Sequence, residues 1–69
     1  MTVVKIIEVI GTSEKSWEDA VQKALERASK TVRNITGIDV LGLKCVVKNN
    51  KIVEYRANMK IAFVVEEPE

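Results

Sequence analysis

The sequence predicts an α+β fold, a βαββ unit in which three antiparallel strands in the order 1-3-2 wrap one helix. Three observations predict it. Two β-branched runs flank a stretch with helical apolar spacing, a third run alternates with period two, and only three residues separate the second run from the third. The chain has 69 residues, so it is read as one domain spanning 1–69.

The first run, Val3 to Ile10, reads VVKIIEVI. β-Branched residues favour strands. One face would carry Val3, Lys5, Ile7 and Val9, the other Val4, Ile6, Glu8 and Ile10. Both are largely apolar, unlike a strand with one side in water.

Gly11, Thr12 and Ser13 break the run, and Ser13 or Ser16 is expected to cap the next element. Asp19 follows Ser16 by three positions, as in a capping box, and Glu18 and Asp19 suit the first turn of a helix. A helix at Gly-Thr-Ser could also take an anion, but a simple cap is the plainer expectation. Trp17, Ala20, Val21, Ala24, Leu25, Ala28, Val32 and Ile35 then recur at helical spacing, with Glu18, Gln22, Lys23, Glu26, Arg27, Lys30 and Arg33 opposite. The spacing predicts a helix from about Trp17 to Arg33, with Trp17 in the core and Gly37 marking the exit.

Ile38 to Lys48 is the second predicted strand. Leu41, Leu43, Cys45 and Val47 are assigned to one face, and Ile38, Val40, Gly42, Lys44, Val46 and Lys48 to the other. Cys45 is expected to be a buried structural thiol. Asn49 and Asn50 tolerate positive φ and predict a tight hairpin turn. In the third strand, Ile52 to Glu66, Val53, Tyr55, Ala57, Met59, Ile61, Phe63 and Val65 share one face, Met59 among the core. Arg56 lies on the other, where a surface ion pair is the plain reading and an anionic ligand the sharper one. Pro68 leaves no room for another strand.

One helix covers one face of such a sheet, so the other apolar face needs a partner. A chain this short has a marginal core, and with one cysteine and no histidine neither an intrachain disulfide nor a zinc site supports it. Homo-oligomerisation is the expected support.

Composition narrows the function. The chain carries 11 basic and 10 acidic residues, mixed along its length, with a net charge of +1. No basic stripe points to nucleic acid. No apolar run is long enough to span a bilayer, and the charged residues Lys5 and Glu8 exclude a signal-peptide core. The free thiol fits a cytoplasmic location. Without a histidine base, a phosphate loop or a dinucleotide fingerprint, catalysis is not expected.

The stretches IEVIGTSEKSWEDAVQKALERASKTVRNI and VEYRANMKIAFVVE resemble the dodecin family. Shared features are the Gly-Thr-Ser turn, the alanine-rich helix ending on a threonine and a basic residue, and a closing strand running from an aromatic to a phenylalanine. The similarity runs from about Val3 to Glu66. It implies a hollow homo-dodecamer of cubic symmetry. For many members it implies flavin (FMN or riboflavin) bound in stacked pairs near two-fold axes, a storage or sequestration role. By resemblance the ligand site comprises Thr36, Gly37, Ile38 and Arg56. Flavin-binding members carry a tryptophan at the position of Gly37 and a glutamine at that of Arg56, so flavin binding is expected to be weak here. The chain is similar to the subgroup without that tryptophan, some of whose members bind calcium. The alternative is therefore a flavin-free shell that binds calcium or another small ion, or is purely structural. Glu54, Glu66, Glu67 and Glu69 are available carboxylates, but no calcium-loop motif places a metal.

Overall fold

The structure is a computed structural model and describes residues 2–65. Strand β1 spans Val3–Ser13, helix α1 Trp17–Ser29, strand β2 Ile35–Lys48 and strand β3 Lys51–Val65. The sheet order is β1-β3-β2 and both pairings are antiparallel, as the sequence predicts. Glu66, Glu67, Pro68 and Glu69 lie outside the described residues, and with them the predicted end of the third strand.

Helix α1 begins where the sequence places it. Ser16 is the N-cap in extended conformation, and its hydroxyl accepts the Asp19 N–H at 3.0 Å. The reciprocal half of the capping box is rerouted. The Asp19 carboxylate accepts the Ser13 hydroxyl instead, and Ser13 Oγ accepts the N–H groups of Lys15 at 2.9 Å and Ser16 at 3.5 Å. Ser13 is thus the buried hub of the β1–α1 corner, at 4% exposure.

The helix ends four residues before the predicted Arg33. Lys30 is its C-cap, and Asn34 then takes φ 62°, a left-handed conformation that asparagine tolerates. β-Branched Thr31 and Val32 also weaken the last predicted turn. The reversal at Asn34 starts β2 at Ile35 rather than Ile38, and Asn34 O accepts the Val64 N–H at 3.0 Å. Gly37, expected at the helix exit, lies inside β2 with no positive φ. The hairpin turn follows expectation: Asn49 and Asn50 adopt φ 51° and 62°, as a type I′ turn requires.

The helix-facing side of β3 holds the core. Ala57, Met59 and Ile61 are fully buried with Ala20, and Ile7, Val9, Val21, Ala24, Ala28, Ile35 and Ile38 pack around them. On β2 the predicted faces are corrected by a bulge. Register shifts between Val40 and Gly42, so Leu41 is an extra residue and the alternation resets. Ile38, Val40, Leu43 and Cys45 therefore share the helix-facing side, pairing with Ile61, Met59, Ala57 and Tyr55, and Gly37, Asp39, Gly42, Lys44 and Val46 share the open side.

The helix cannot cover this sheet. Its 13 residues span about 20 Å, while the 15 residues of β3 span about 50 Å. It packs on β1 and β3. The outer half of β2 stays uncovered, which leaves Leu43 52% exposed and Cys45 half-buried. That corrects the expectation of a buried thiol. Trp17 is corrected as well: it is a half-buried latch, not a core residue. Its Nε1–H donates to the Lys44 carbonyl at 3.0 Å, and its ring meets Tyr55 edge-on at 5.1 Å.

Candidate functional site

The side of the sheet turned away from the helix is a three-strand lattice whose rows are set by register. Across β1, β3 and β2 they read Ile6–Ala62–Gly37, Glu8–Lys60–Asp39, Ile10–Asn58–Gly42 and Thr12–Arg56–Lys44. Val4 pairs with Val64 beyond the first row.

One end of the lattice is apolar. Val4 and Ile6 there are 54% and 57% exposed, and Ile10, 63% exposed, stands beyond the charged row Glu8–Lys60–Asp39. Gly37 and Ala62 form a shallow strip beside Val4 and Ile6, and a side chain built at Gly37 would meet nothing within 4 Å. Thr36 is the extra residue of a bulge between Ile35 and Gly37 and is exposed. Ile38 turns to the helix side and packs against the core. Thr36, Gly37 and Ile38 also border an open groove of about 1030 Å³, shared with Leu25, Val32 and Arg33 at the end of the helix.

The other end is cationic. Arg56 Nε donates to Glu54 Oε2 at 3.1 Å, the surface ion pair the sequence suggests. Lys44 stands directly opposite on β2, and Thr12 opposite on β1. Like charges facing each other across strands are destabilising unless an anion lies between or beside them. The sequence points to Arg56 and, through the Gly-Thr-Ser turn, to Thr12, but not to Lys44. Their alignment is a matter of register, and the bulge at Leu41 hides it from simple alternation.

The structure does not bring the four predicted site residues together. Ala62, the partner of Gly37, is six residues from Arg56 along β3, about 20 Å apart. Between the two ends, Asn58 Oδ1 is buried with no hydrogen-bond partner among the described residues. Leaving such a group unpaired costs about 1–3 kcal/mol. Asp19 stands apart from the lattice. Its carboxyl is held below the ordinary value of 3.8, first by the Ser13 hydroxyl and then by Lys23, whose Nζ is 3.3 Å away. It serves the helix cap and lies off the lattice.

A small βαββ unit with one sheet face bare defines the class of fold, and no described helix is long and apolar enough to cross a bilayer. The family model described as Dodecin matches residues 3–66, and the chain belongs to the dodecin family. A dodecin from Thermus thermophilus is 35% identical over 65 residues, 94% of each chain. A calcium dodecin from Mycobacterium tuberculosis is 35% identical over 63 residues, 91% of this chain and 89% of that one. A crystal structure of a Thermus thermophilus dodecin variant superposes with a TM-score of 0.94 at 34% identity, covering 99% of this chain and all of that one. The solved Mycobacterium tuberculosis protein, described as calcium-chelating with a novel calcium-binding site, gives 0.83 at 31% identity, covering 97% and 96%.

Proposed function

We propose that the chain forms a closed homo-oligomeric shell, twelve copies by family resemblance. We further propose that the shell stores or sequesters a planar aromatic anion of the phosphorylated-flavin class. It would hold that ligand more weakly than tryptophan-bearing dodecins do. The observation that carries this reading is the division of the open face into an apolar small-residue strip at Gly37 and Ala62 and a cationic end at Lys44 and Arg56. A ring suits the first and a phosphate the second. Because the two ends are about 20 Å apart along β3, one ligand would use both only where copies meet. The orphaned Asn58 acceptor and the exposed Val4, Ile6 and Ile10 support the same meeting of copies.

Weak binding follows from Gly37. A stacked aromatic pair contributes about 0.5–1.5 kcal/mol beyond its area, and an indole buries on the order of 150–250 Å². At about 25 cal/mol per Å² the deficit is several kcal/mol, and each 1.4 kcal/mol is about tenfold in affinity. Fluorescence-quenching titrations test the reading. FMN should bind in the micromolar range and more tightly than riboflavin. Gly37→Trp with Arg56→Gln should tighten riboflavin binding by more than about tenfold, since space exists at Gly37. Nanomolar riboflavin binding by the native chain would sink the proposal.

A further inference from the structure

A calcium-binding relative raises the question of whether this chain's own residues fit the ion. Calcium takes about six to eight oxygens at about 2.3–2.6 Å. Among the described residues no three of His, Cys, Asp and Glu gather into a metal-holding group. The nearest approach to one on the sheet is the row Glu8–Lys60–Asp39. Glu8 on β1 and Asp39 on β2 project from the same open face at the same level. Neighbouring strands are about 4.8 Å apart, so the two carboxylate-bearing positions are about 10 Å apart with Lys60 midway between them.

We propose that Lys60 is a selectivity residue that closes this face to divalent cations. It occupies the midpoint that an ion drawing on both carboxylates would need. A lysine there subtracts a ligand position, since an ammonium group offers only donors. It also adds a positive charge that repels the ion. Register alone sets the arrangement; the ion pairs among the described residues, Lys23–Asp19 and Arg56–Glu54, lie elsewhere. The row is a latent calcium site, one charge reversal from being a carboxylate triad. This inference is independent of the flavin reading, which concerns the two ends of the lattice and is tested by a different titration.

Calorimetric titration with calcium chloride, on the native chain and on Lys60→Glu and Lys60→Gln, tests it. Replacing one positive charge by a negative one beside a divalent ion should tighten binding on the order of a hundredfold after salt screening. Glutamine keeps an amide oxygen as a ligand without like-charge repulsion between strands, and should tighten binding about tenfold. If the glutamate variant fails to fold by circular dichroism, the glutamine variant decides. Equal calcium affinity in the native chain and in a folded Lys60 variant would overturn the proposal. So would native calcium binding that is lost in Glu8→Gln or Asp39→Asn.

Discussion

Gly11 shows how a single position can be dictated by a neighbour far along the chain. A β-carbon built there would lie 3.0 Å from Ala24 Cβ and inside contact distance of the Ala20 carbonyl oxygen. The glycine is needed for close approach of β1 to the helix, not for a special φ. Because backbone rather than a flexible side chain stands in the way, Gly11→Ala should destabilise the protein by about 3 kcal/mol, the upper end for overpacking. Thermal unfolding followed by circular dichroism checks this; an unchanged midpoint would show that the helix can shift freely. The sequence marked Gly11 only as a turn residue, because nothing local distinguishes a turn glycine from a packing glycine. Cys45 and Trp17 carry the same lesson. Their apolar neighbours along the chain suggested burial, but a helix lying over β1 and β3 leaves both half-covered.

At the scale of the element, the start of α1 was legible and its end was not. Capping at Ser16 depends on residues three apart, so the sequence displays it. The part-buried Ser13–Asp19 contact adds a pH dependence. Asp19 has a lower pKa folded than unfolded, so its ionised form favours the folded state. That contribution is complete above the ordinary value of 3.8 and is lost as pH falls through the lower folded value. Stability should therefore fall below about pH 4, and Asp19→Asn should flatten that part of the curve. Ser13→Ala should cost about 1–2 kcal/mol at neutral pH, as a lost cap does, and raise the Asp19 pKa. Denaturant melts between pH 2.5 and 7 measure both effects, and a slope unchanged in Asp19→Asn would assign the acid sensitivity elsewhere.

The whole molecule is elongated, with extents of 56 × 20 × 13 Å and a radius of gyration of 14.4 Å. A compact chain of this length would have about 11 Å. Among the described residues four apolar ones are fully buried, while ten large ones, from Val3 to Val53, remain exposed. That imbalance is what a protomer completed by copies of itself should show. Val4→Asp, Ile6→Asp and Ile10→Asp place a charge on the open face without touching the helix-side core. Each should cost several kcal/mol of assembly energy if that face is buried between copies. Light scattering should show many subunits for the native chain and a shift toward smaller species for the variants. A native monomer at micromolar concentration would overturn the assembly reading.

Element order, antiparallel pairing, the apolar face of β3 and the Asn49–Asn50 turn were determined by the sequence alone. Each depends on spacing or conformational preference among residues that are near neighbours in the chain. Only the tertiary structure decided the bulge at Leu41 that regroups the faces of β2, the early helix end at Ser29 with the reversal at Asn34, and the close approach at Gly11. It alone placed Lys60 between Glu8 and Asp39, and Gly37 far from Arg56. Those features depend on which residue of β3 stands opposite each residue of its neighbours. That register is set by cooperative pairing along the whole sheet, and no local stretch of the chain carries it.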